Sequence, residues 1–549
     1  MLRVVSFRYI RILSVVLFVC AYVSSFAQVK KPKLVVTIVV EQMRYDYINR
    51  FLPHFSKAGF KKLLYQGVNC ENAHTNYAYT QSASGIASIA TATTPSMHGI
   101  VGNTWYNRSS QSKIYSVQDA TKTCVGCKNS GSYTVSAQHL LSSTFSEELY
   151  VASQGKSKIF SIALEPQSAV LMAGKQASGV YWLDDYSGNW VTSSCYSSQL
   201  PLWLQSFNAK RFAELYVDRT WNTLLPINYY TESLGDTCNF EIGIQNQITF
   251  PYSIMKLRDN SRPYKILKQI PFGNTFTKDL AIEIIDKEKL GKDEFTDYLS
   301  IVFTATQEIG NKYGALSKEL QDTYVRLDYE LMFFMQYLEE TIGKDNFLIV
   351  LTSNHGVAYS SKYTMLKQSD AGIFKHVESM YIIDKYLDTV FGNGDWILYY
   401  NSQQIYLNHT FIEKKHIPLQ DVQRAAADFI LQLSGVQHVM ISTDLQKTDF
   451  CNNAIEHKID NSFYQSRSGD IFIQLKPHWN EQLTDVVAGH ASGYTYDSHV
   501  PLLWYGAGIV PKTIKKTVYT PDIIVTLSNL LSIPQPSMST GTILSELFN

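Results

Sequence analysis

The sequence has no excess charge of either sign, few cysteines for its length, and almost no long apolar runs. Its 48 lysines and arginines are matched by 48 aspartates and glutamates, which argues against a basic surface for nucleic acid or anionic membranes. Seven cysteines in 549 residues exclude a small disulfide-stapled scaffold. The composition, 45% hydrophobic and 17% charged, is instead typical of a large globular protein with an extensive core.

The amino terminus is the exception. MLRVVSFRYIRILSVVLFVCAYVSSFAQ combines three arginines, an apolar stretch and small residues before Gln28. This predicts a cleaved secretory signal peptide over residues 1–27 and a mature chain of residues 28–549, and hence a periplasmic, cell-envelope or secreted protein. An uncleaved anchor is the alternative, but the apolar stretch is shorter than the roughly 20 residues that a spanning helix needs. Cleavage leaves 45 basic against 48 acidic residues, a net charge near −3.

Six cysteines remain after that cleavage, and an exported protein meets oxidising conditions in which disulfides form. Cys124 and Cys127 have the CxxC spacing of redox and zinc motifs. A zinc site is disfavoured because no second CxxC completes four ligands. A local disulfide, or pairing of each thiol elsewhere, is the favoured interpretation, and the sequence does not fix the pairing.

Apolar, β-branched runs recur along the chain with helical stretches between them. They cover residues 34–40, 158–164, 169–174, 298–305, 346–353 and 499–508. Runs without polar alternation are typical of strands buried on both faces, so we predict an α/β fold with a mostly parallel central sheet flanked by helices. Residues 322–343 predict a helix, because apolar residues recur there at a spacing of three to four and Gly343 closes the pattern.

Two stretches differ from this pattern. Residues from about 185 to 290 are rich in Tyr, Asn, Ser and Pro, with weak periodicity. Residues from about 360 to 475 contain a hairpin pattern, WILYYNSQQIYLN, followed by a helix through DVQRAAADFILQL and a strand through VQHVMIS. We interpret both as insertions that cap one end of the main sheet within a single domain.

Polar side chains follow several of the predicted strands, at the ends where α/β proteins place their chemistry. The stretches are VEQMRYDYI with Glu41, TQSASGIASIATATTPSMHGIVGN with Ser82 and Asn103, TQEIGNKYG with Gln307 and Asn311, Asn354-His355-Gly356, and AGHASGYTYDSHV with His490.

In this order, and with the strings SMHGIVGN and YDSHVPLLWYGAGI and the closing segment YTPDIIVTLSNLLSIPQPSMSTGTIL, these stretches resemble the alkaline phosphatase superfamily. The likeness is to its single-chain bacterial phosphomonoesterases and to the related nucleotide pyrophosphatase/phosphodiesterases. It extends from about residue 34 to residue 545. The resemblance implies an alkaline phosphatase-like fold and hydrolysis of phosphoric esters.

In active members the resemblance implies two metal ions, usually zinc, about 4 Å apart and bridged by a Thr or Ser nucleophile. One ion takes the aspartate after the first strand, the nucleophile and the Asp-His of a DHG motif; these positions fall on Glu41, Ser82, Asn354 and His355. The other ion takes a DxxGH motif and a late histidine, which fall on Gln307, Asn311 and His490. Two of these seven positions keep the family residue, two are plausible substitutes, and three are amides.

The three amides weaken the expected metal centre, because zinc is bound by anionic or imidazole donors and a neutral amide oxygen is a poor ligand. The second set keeps only His490 and should hold no zinc. The first set keeps Glu41, His355 and Ser82, which leaves room for one weakly held ion. Glu308, beside Gln307, is a substitute ligand if it turns inward.

Catalysis and phosphate recognition also depart from the family pattern. A serine nucleophile needs a base or a metal, so without ions Ser82 is more simply a helix N-cap, although that helix start could still attract an anion. Asn103 matches the phosphate-contacting asparagine, or else forms a turn after Gly102. The KDR-like stretch that clamps phosphate corresponds to SIALEPQSAVLMAG, which has no basic residue, and the nearby Lys175 is expected to be solvated.

Other polar residues have structural explanations. We expect His98 and His499 to make structural hydrogen bonds, and Asp46 and Asp328 to be surface or capping groups.

Three functions remain open. The leading hypothesis is a pseudoenzyme with an impaired dimetal phosphohydrolase centre and a binding or scaffolding role, whose ligand is a phosphate ester or another small anion. The alternative is an active phosphomonoesterase or phosphodiesterase with a reorganised or single-metal site that uses Ser82. A third is a carbohydrate- or peptide-binding protein that uses the aromatic-rich cap.

Overall fold

The structure, a computed structural model, describes residues 31–129, 134–367, 370–446, 454–482, 486–487 and 489–548. The predicted signal peptide and Cys451 lie outside these ranges. The strands are β1 Leu34–Val40, β2 Val68–Cys70, β3 Ala73–His74, β4 Thr104–Asn107, β5 Ser112–Tyr115, β6 Cys124–Val125, β7 Ile159–Ala163, β8 Gly179–Leu183, β9 Trp190–Ser193, β10 Thr220–Trp221, β11 Tyr252–Ser253, β12 Asp297–Phe303, β13 Phe347–Thr352, β14 Gly372–Phe374, β15 Ile397–Asn401, β16 Gln404–Leu407, β17 Val436–Ile441, β18 Ile471–Leu475, β19 Trp479–Glu481, β20 His499–Val500, β21 Leu502–Gly506, β22 Lys512–Ile514 and β23 Val518–Tyr519.

The α-helices are α1 Asp46–Phe51, α2 Phe60–Gln66, α3 Ser82–Thr91, α4 Pro95–His98, α5 Phe145–Ala152, α6 Pro166–Ala173, α7 Leu202–Ala209, α8 Phe212–Val217, α9 Ile254–Leu257, α10 Phe272–Glu288, α11 Ala305–Tyr313, α12 Lys318–Thr341, α13 Ser361–Lys367, α14 His376–Phe391, α15 His409–Lys414, α16 Leu419–Ile430, α17 Ser442–Leu445, α18 Ala454–Asp460, α19 Thr495–Ser498 and α20 Asp522–Leu531. Short 3-10 helices cover Leu52–His54, Ile227–Tyr229, Lys265–Gln269, Lys344–Asn346 and Ser545–Leu547.

A ten-stranded sheet forms the centre of the molecule, in the order β22-β2-β21-β13-β1-β12-β7-β8-β9-β6. Its middle strands, β13, β1, β12, β7 and β8, are parallel neighbours. Antiparallel pairs occur towards the edges, where β21 pairs with β13 and β9 pairs with β8. The predicted α/β fold with a mostly parallel central sheet is confirmed.

The central sheet is covered on both faces, as its apolar strands predict. In β1, Val36, Ile38 and Val40 belong to one hydrophobic cluster, which also contains the buried face of α12 and most of the buried face of α10. Val35 and Val39 belong to a second cluster, with apolar residues of α3, α6 and α20. A strand buried on both sides cannot alternate polar and apolar residues, which explains why six of the seven residues of LVVTIVV are apolar.

A second, four-stranded sheet has the order β15-β16-β18-β17 and its own hydrophobic core with α14 and α16. The hairpin, helix and strand predicted within residues 360–475 are confirmed. The assignment of two cap insertions stays a prediction. Inside the first of them, however, α10 packs against β7 and β12 and so covers a face of the central sheet.

Two strand predictions were wrong in detail. Residues 169–174 lie in helix α6 and the turn that ends it; Pro166 at the first helical turn starts that helix, and the short buried run AVLMAG fits either element. The run 499–508 is divided at Pro501 into β20 and β21, and β21 is antiparallel to β13 rather than parallel. Pro501 supplies no backbone N–H for a continuous ladder.

The predicted long helix is confirmed as α12, although it begins four residues earlier than the pattern indicated. The Ser317 hydroxyl accepts a hydrogen bond from the Leu320 N–H and caps the helix.

Cys124 and Cys127 form a local disulfide, which is one of the two interpretations that their spacing favours. Within the described ranges, no helix combines the length and the hydropathy needed to cross a bilayer.

The structural roles expected of several polar residues are also confirmed. His98 is hydrogen bonded to Ser88 Oγ at 2.9 Å, and His499 to the Glu71 carbonyl at 2.8 Å. Asp46, in the first turn of α1, forms ion pairs with Arg44 and Arg50. The Asp328 carboxylate on α12 accepts the backbone N–H groups of Ser56 and Phe60, both at 2.6 Å, and so caps the start of α2.

We expect Asp328→Ala to lower the free energy of unfolding by about 1–3 kcal/mol, because two backbone donors near the start of α2 lose their acceptor. The measurement is the midpoint of urea unfolding. Asp345→Ala, at an exposed position two residues before β13, is the matched control and should change stability by less than about 0.5 kcal/mol. Equal midpoints for the two variants would contradict the capping role.

Candidate functional site

Three neighbouring parallel strands bring the predicted site residues to one edge of the central sheet. β1 pairs with β12 through Val40 and Phe303, and with β13 through Val39 and Thr352. Glu41 follows β1, helix α11 follows β12, and Asn354-His355 follow β13. Gln307 and Asn311 are four residues apart on α11 and therefore share one helix face.

Ser82 is the first residue of α3 and is fully buried. Its prediction as the N-cap was wrong by one residue, because Gln81 holds the extended backbone conformation that precedes the helix. The Ser82 hydroxyl donates a hydrogen bond to Gln307 Oε1 at 2.8 Å. The nucleophile position thus contacts an amide where the family pattern has a carboxylate.

Helix α3 lies very close to Asn354-His355-Gly356, the segment that corresponds to the DHG motif of the family pattern. A Cβ atom on Gly85 would fall 2.6 Å from the carbonyl oxygen of Asn354, so only glycine permits this approach. Ser82 is one turn earlier on the same helix, and this packing fixes its position relative to Asn354.

The other two amides are joined by Gln42, which the sequence analysis missed. Asn354 Oδ1 accepts the backbone N–H of Gln42 at 3.0 Å and that of His355 at 2.9 Å. The side chain of Gln42 donates to Asn311 Oδ1 at 3.0 Å. Its backbone has a positive φ of 62°, a conformation that is uncommon outside glycine. Its position next to Glu41 was the only signal in the sequence.

His355 and His490 are brought together, with ring centroids 4.2 Å apart and the rings stacked. Nδ1 of His355 is hydrogen bonded to the Gly356 carbonyl at 2.7 Å, and Nδ1 of His490 to the Thr80 carbonyl. Burial lowers the pKa of both imidazoles, that of His355 well below its usual value, with His490 lowering it further. Both rings are therefore neutral at physiological pH.

Glu41 is buried, and its carboxyl accepts a hydrogen bond from Ser168 on α6 at 2.5 Å. Burial raises the pKa of Glu41 to about 8; the Ser168 hydrogen bond opposes this, and the nearby Glu165 and Glu308 raise it further. Its hydrogen bond is directed to α6, whereas the three amides accept hydrogen bonds from Ser82, from the side chain of Gln42 and from backbone N–H groups. Burial and the nearby Glu165 raise the pKa of Glu308, whereas three lysines oppose the rise: Lys268, Lys265 and Lys312.

No lysine or arginine takes the place of the family's phosphate clamp in the described part of this site. Lys268 lies nearby, but it forms ion pairs with Glu165 at 3.0 Å and Asp185 at 2.9 Å. Lys175 is exposed, as predicted. Asn103 stabilises the start of α3, because its Oδ1 accepts a hydrogen bond from the Ala83 N–H at 2.8 Å.

A cavity of about 290 Å³ opens beside these residues. Its lining comprises Gln81, Asn103, Asn311, His376, Tyr400, Asn401, Ser402, Glu481, Val486, Gly489, His490 and Ala491. Three of the predicted positions, Asn103, Asn311 and His490, therefore reach solvent-accessible space. The remaining lining comes mainly from α14, the β15–β16 hairpin and β19.

The residues present do not fit the two-zinc centre of the family pattern. The oxygens of Gln307, Asn311 and Asn354 are neutral, and each already accepts a hydrogen bond. Among the described residues, no group of three or more His, Cys, Asp or Glu side chains is placed to hold a metal ion. Nε2 of His355 is buried without a partner in the described chain, so one imidazole lone pair is left for a single ion.

Comparisons with known proteins agree with the geometry of the scaffold. Residues 35–485 match the family model for type I phosphodiesterase / nucleotide pyrophosphatase. The chain is 34% identical to alkaline phosphatase PhoV of Synechococcus elongatus over 94% of this chain and 93% of that protein. It is 33% identical to alkaline phosphatase PafA of Elizabethkingia meningoseptica over 94% and 95%.

The crystal structure of wild-type PafA superposes with a TM-score of 0.90 and 32% identity, over 94% of this chain and 99% of that chain. Murine ectonucleotide pyrophosphatase/phosphodiesterase 5 matches at 13% identity and a TM-score of 0.52, which supports the fold alone. The chain belongs to the type I phosphodiesterase / nucleotide pyrophosphatase family, within the alkaline phosphatase superfamily.

Proposed function

We propose that this chain is an exported pseudoenzyme, which binds a ligand beside its degenerate dimetal centre and does not hydrolyse phosphate esters. The observation that carries this proposal is the hydrogen bond from the Ser82 hydroxyl to Gln307 Oε1 at 2.8 Å. A nucleophilic serine must lose its proton to a base or be activated by a metal. A carboxamide oxygen accepts a hydrogen bond but is far too weak a base to take the proton.

The charge at the site supports the same conclusion. The family pattern supplies three carboxylates to two divalent cations, whereas this chain supplies Glu41 alone. Two zinc ions would therefore share one ligand carboxylate where the family pattern has three, which is unfavourable for metal binding.

Export is part of the proposal. It is supported by the signal-peptide pattern of residues 1–27 and by the Cys124–Cys127 disulfide, since disulfides persist in oxidising compartments.

We expect the purified mature protein to contain well below one zinc ion per chain, and to hydrolyse aryl phosphate monoesters and diesters no faster than a buffer control. The reason is that three of the seven ligand positions are neutral amides. Elemental analysis and release of the aryl alcohol measure the two quantities. Stoichiometric zinc together with metal-dependent turnover would overturn the proposal.

A restored variant sharpens this test. Gln307→Asp, Asn311→His and Asn354→Asp together return the family residues, and we expect the triple variant to bind zinc more tightly than the parent chain. Gln245→Asp, Asn246→His and Asn260→Asp make the same three replacements at exposed positions outside the site and provide the matched control. Equal zinc binding by both triple variants would show that the amides are not what limits metal binding.

A working phosphohydrolase with a single-metal site is the second candidate. It is favoured by the two imidazoles, whose Nδ1 atoms are both fixed on backbone carbonyls, an arrangement that leaves Nε2 available as a ligand. The 94% coverage by relatives named as alkaline phosphatases supports it as well.

Under this second candidate, Ser82→Ala should lower phosphatase activity by at least about a hundredfold, because the nucleophile is removed. A chelator should also abolish the activity, and added zinc should restore it. Ser88→Ala, on the same helix and hydrogen bonded to His98, is the control for disturbance of α3. Activity that survives Ser82→Ala would exclude Ser82 as a nucleophile.

A further inference from the structure

We propose that the cavity beside the degenerate metal centre binds an uncharged, hydroxyl-rich molecule of about the size of a monosaccharide, and not a phosphate ester. This inference rests on the proposed function, since it concerns a ligand that is bound and not hydrolysed. The cavity volume of about 290 Å³ is close to the lower end of ligand pockets, which span about 300–1,000 Å³.

Three amides of the lining have one end fixed by the protein, whereas Gln81 uses both ends within the protein. Asn103 Oδ1 accepts the Ala83 N–H, and Asn311 Oδ1 accepts the Gln42 side chain, which leaves the amino groups of both as donors for a ligand. Asn401 is fixed the other way, because its Nδ2 donates to the Thr104 carbonyl at 2.9 Å and its oxygen is left as an acceptor.

The cavity therefore offers donors and acceptors together. A hydroxyl group both donates and accepts, so a polyol satisfies both kinds of partner. A phosphate dianion only accepts, and it would leave the Asn401 oxygen and the Glu481 carboxyl facing negative charge. A buried polar group without a partner is costly, and a buried unpaired charge costs more.

The charge of the lining leads to the same ligand class. Glu481 is its single carboxyl group, and no lysine or arginine is among the lining residues in the described chain. Burial raises the pKa of Glu481, while its hydrogen bond from Tyr400 opposes the rise. A dianion beside this carboxyl would have no lysine or arginine of the described lining to offset its desolvation, and the nearby His376 already interacts with Glu481.

Part of the cavity wall comes from backbone segments with positive φ. Ser402 and Gln403 form the two-residue turn between β15 and β16, with positive φ values of 48° and 63°. Ala491, next to His490, has a φ of 91°. Positive φ at both residues is the conformation of the type I′ turn that two-residue hairpins favour, so Ser402 and Gln403 carry no unusual strain. At Ala491 such a φ costs about 1–3 kcal/mol and persists because the surrounding structure fixes it.

Hydrogen bonds across the cavity hold this turn in place. Gln81 Nε2 donates to Ser402 Oγ at 2.6 Å, and Gln403 Nε2 donates to the Ala491 carbonyl at 3.2 Å. The Tyr400 ring stacks on His376 at 5.1 Å, which adds a flat aromatic surface to the same wall. A preformed cavity binds its ligand without a further ordering cost.

The test is isothermal titration of the purified mature protein with neutral aldohexoses, aldopentoses and their disaccharides, each beside its monophosphate, and with inorganic phosphate. We expect at least one neutral sugar to bind, and its monophosphate and inorganic phosphate to bind at least about tenfold more weakly. Asn311→Ala and Asn401→Ala should each weaken sugar binding about tenfold, since each removes one ligand hydrogen bond. Asn260→Ala, which lines a separate groove, is the matched control.

Each other outcome has a distinct meaning. Binding of a sugar phosphate or inorganic phosphate as tightly as the neutral sugar overturns this inference and leaves the proposed function intact. Absence of binding by every neutral sugar at about 10 mM also overturns it. Hydrolysis of a sugar phosphate during the titration overturns the proposed function itself. Sugar binding that is unchanged in both Asn variants places the site elsewhere and overturns the assignment to this cavity.

Discussion

The pairing of β1 between β12 and β13 is the constraint on which the rest of the site depends. Val40 opposite Phe303 and Val39 opposite Thr352 set where Glu41, helix α11 and Asn354 leave the sheet. All seven residues of β1 are buried, and its side chains enter the hydrophobic clusters on both faces. A slip of one residue would exchange those two sets of side chains, so the packing fixes the register, and with it the site.

The amides at this edge of the sheet avoid a repulsion that carboxylates would create. Carboxylates gathered at one edge of a sheet repel each other unless cations lie between them. Gln307, Asn311 and Asn354 keep the size of acidic residues but carry no charge, and each accepts a hydrogen bond from Ser82 or Gln42. The remaining carboxyl, Glu41, is hydrogen bonded to Ser168 instead. The oxygens of these amides and the Glu41 carboxyl therefore have hydrogen-bond donors without ions, whereas Nε2 of His355 and Nδ2 of Asn354 are buried without a partner in the described chain.

The sequence predicted this scaffold well because its signals are local. Uninterrupted apolar runs identify buried strands such as β1 and β13, and the order of the motifs identifies the family. A local pattern is ambiguous where more than one structure fits it. AVLMAG fits a strand or a buried helix, and HVPLLWYG does not indicate that β21 is antiparallel to β13. Local signals also missed Gln42, whose role comes from a positive φ and from contacts with residues about 270 and 310 positions away.

The lining of the cavity could not be predicted from the sequence. Its walls combine Asn103, Asn311 and His490 at the edge of the central sheet with Tyr400, Ser402 and Glu481 from the smaller sheet and β19, and no motif links the two groups. Yet their chemistry is consistent. The central-sheet side presents the amides Asn103 and Asn311 and the imidazole of His490, and the other wall presents the Ser402 hydroxyl and the Glu481 carboxyl. The proposed preference for a neutral ligand therefore depends on residues of both walls and not on the substituted metal-ligand positions alone.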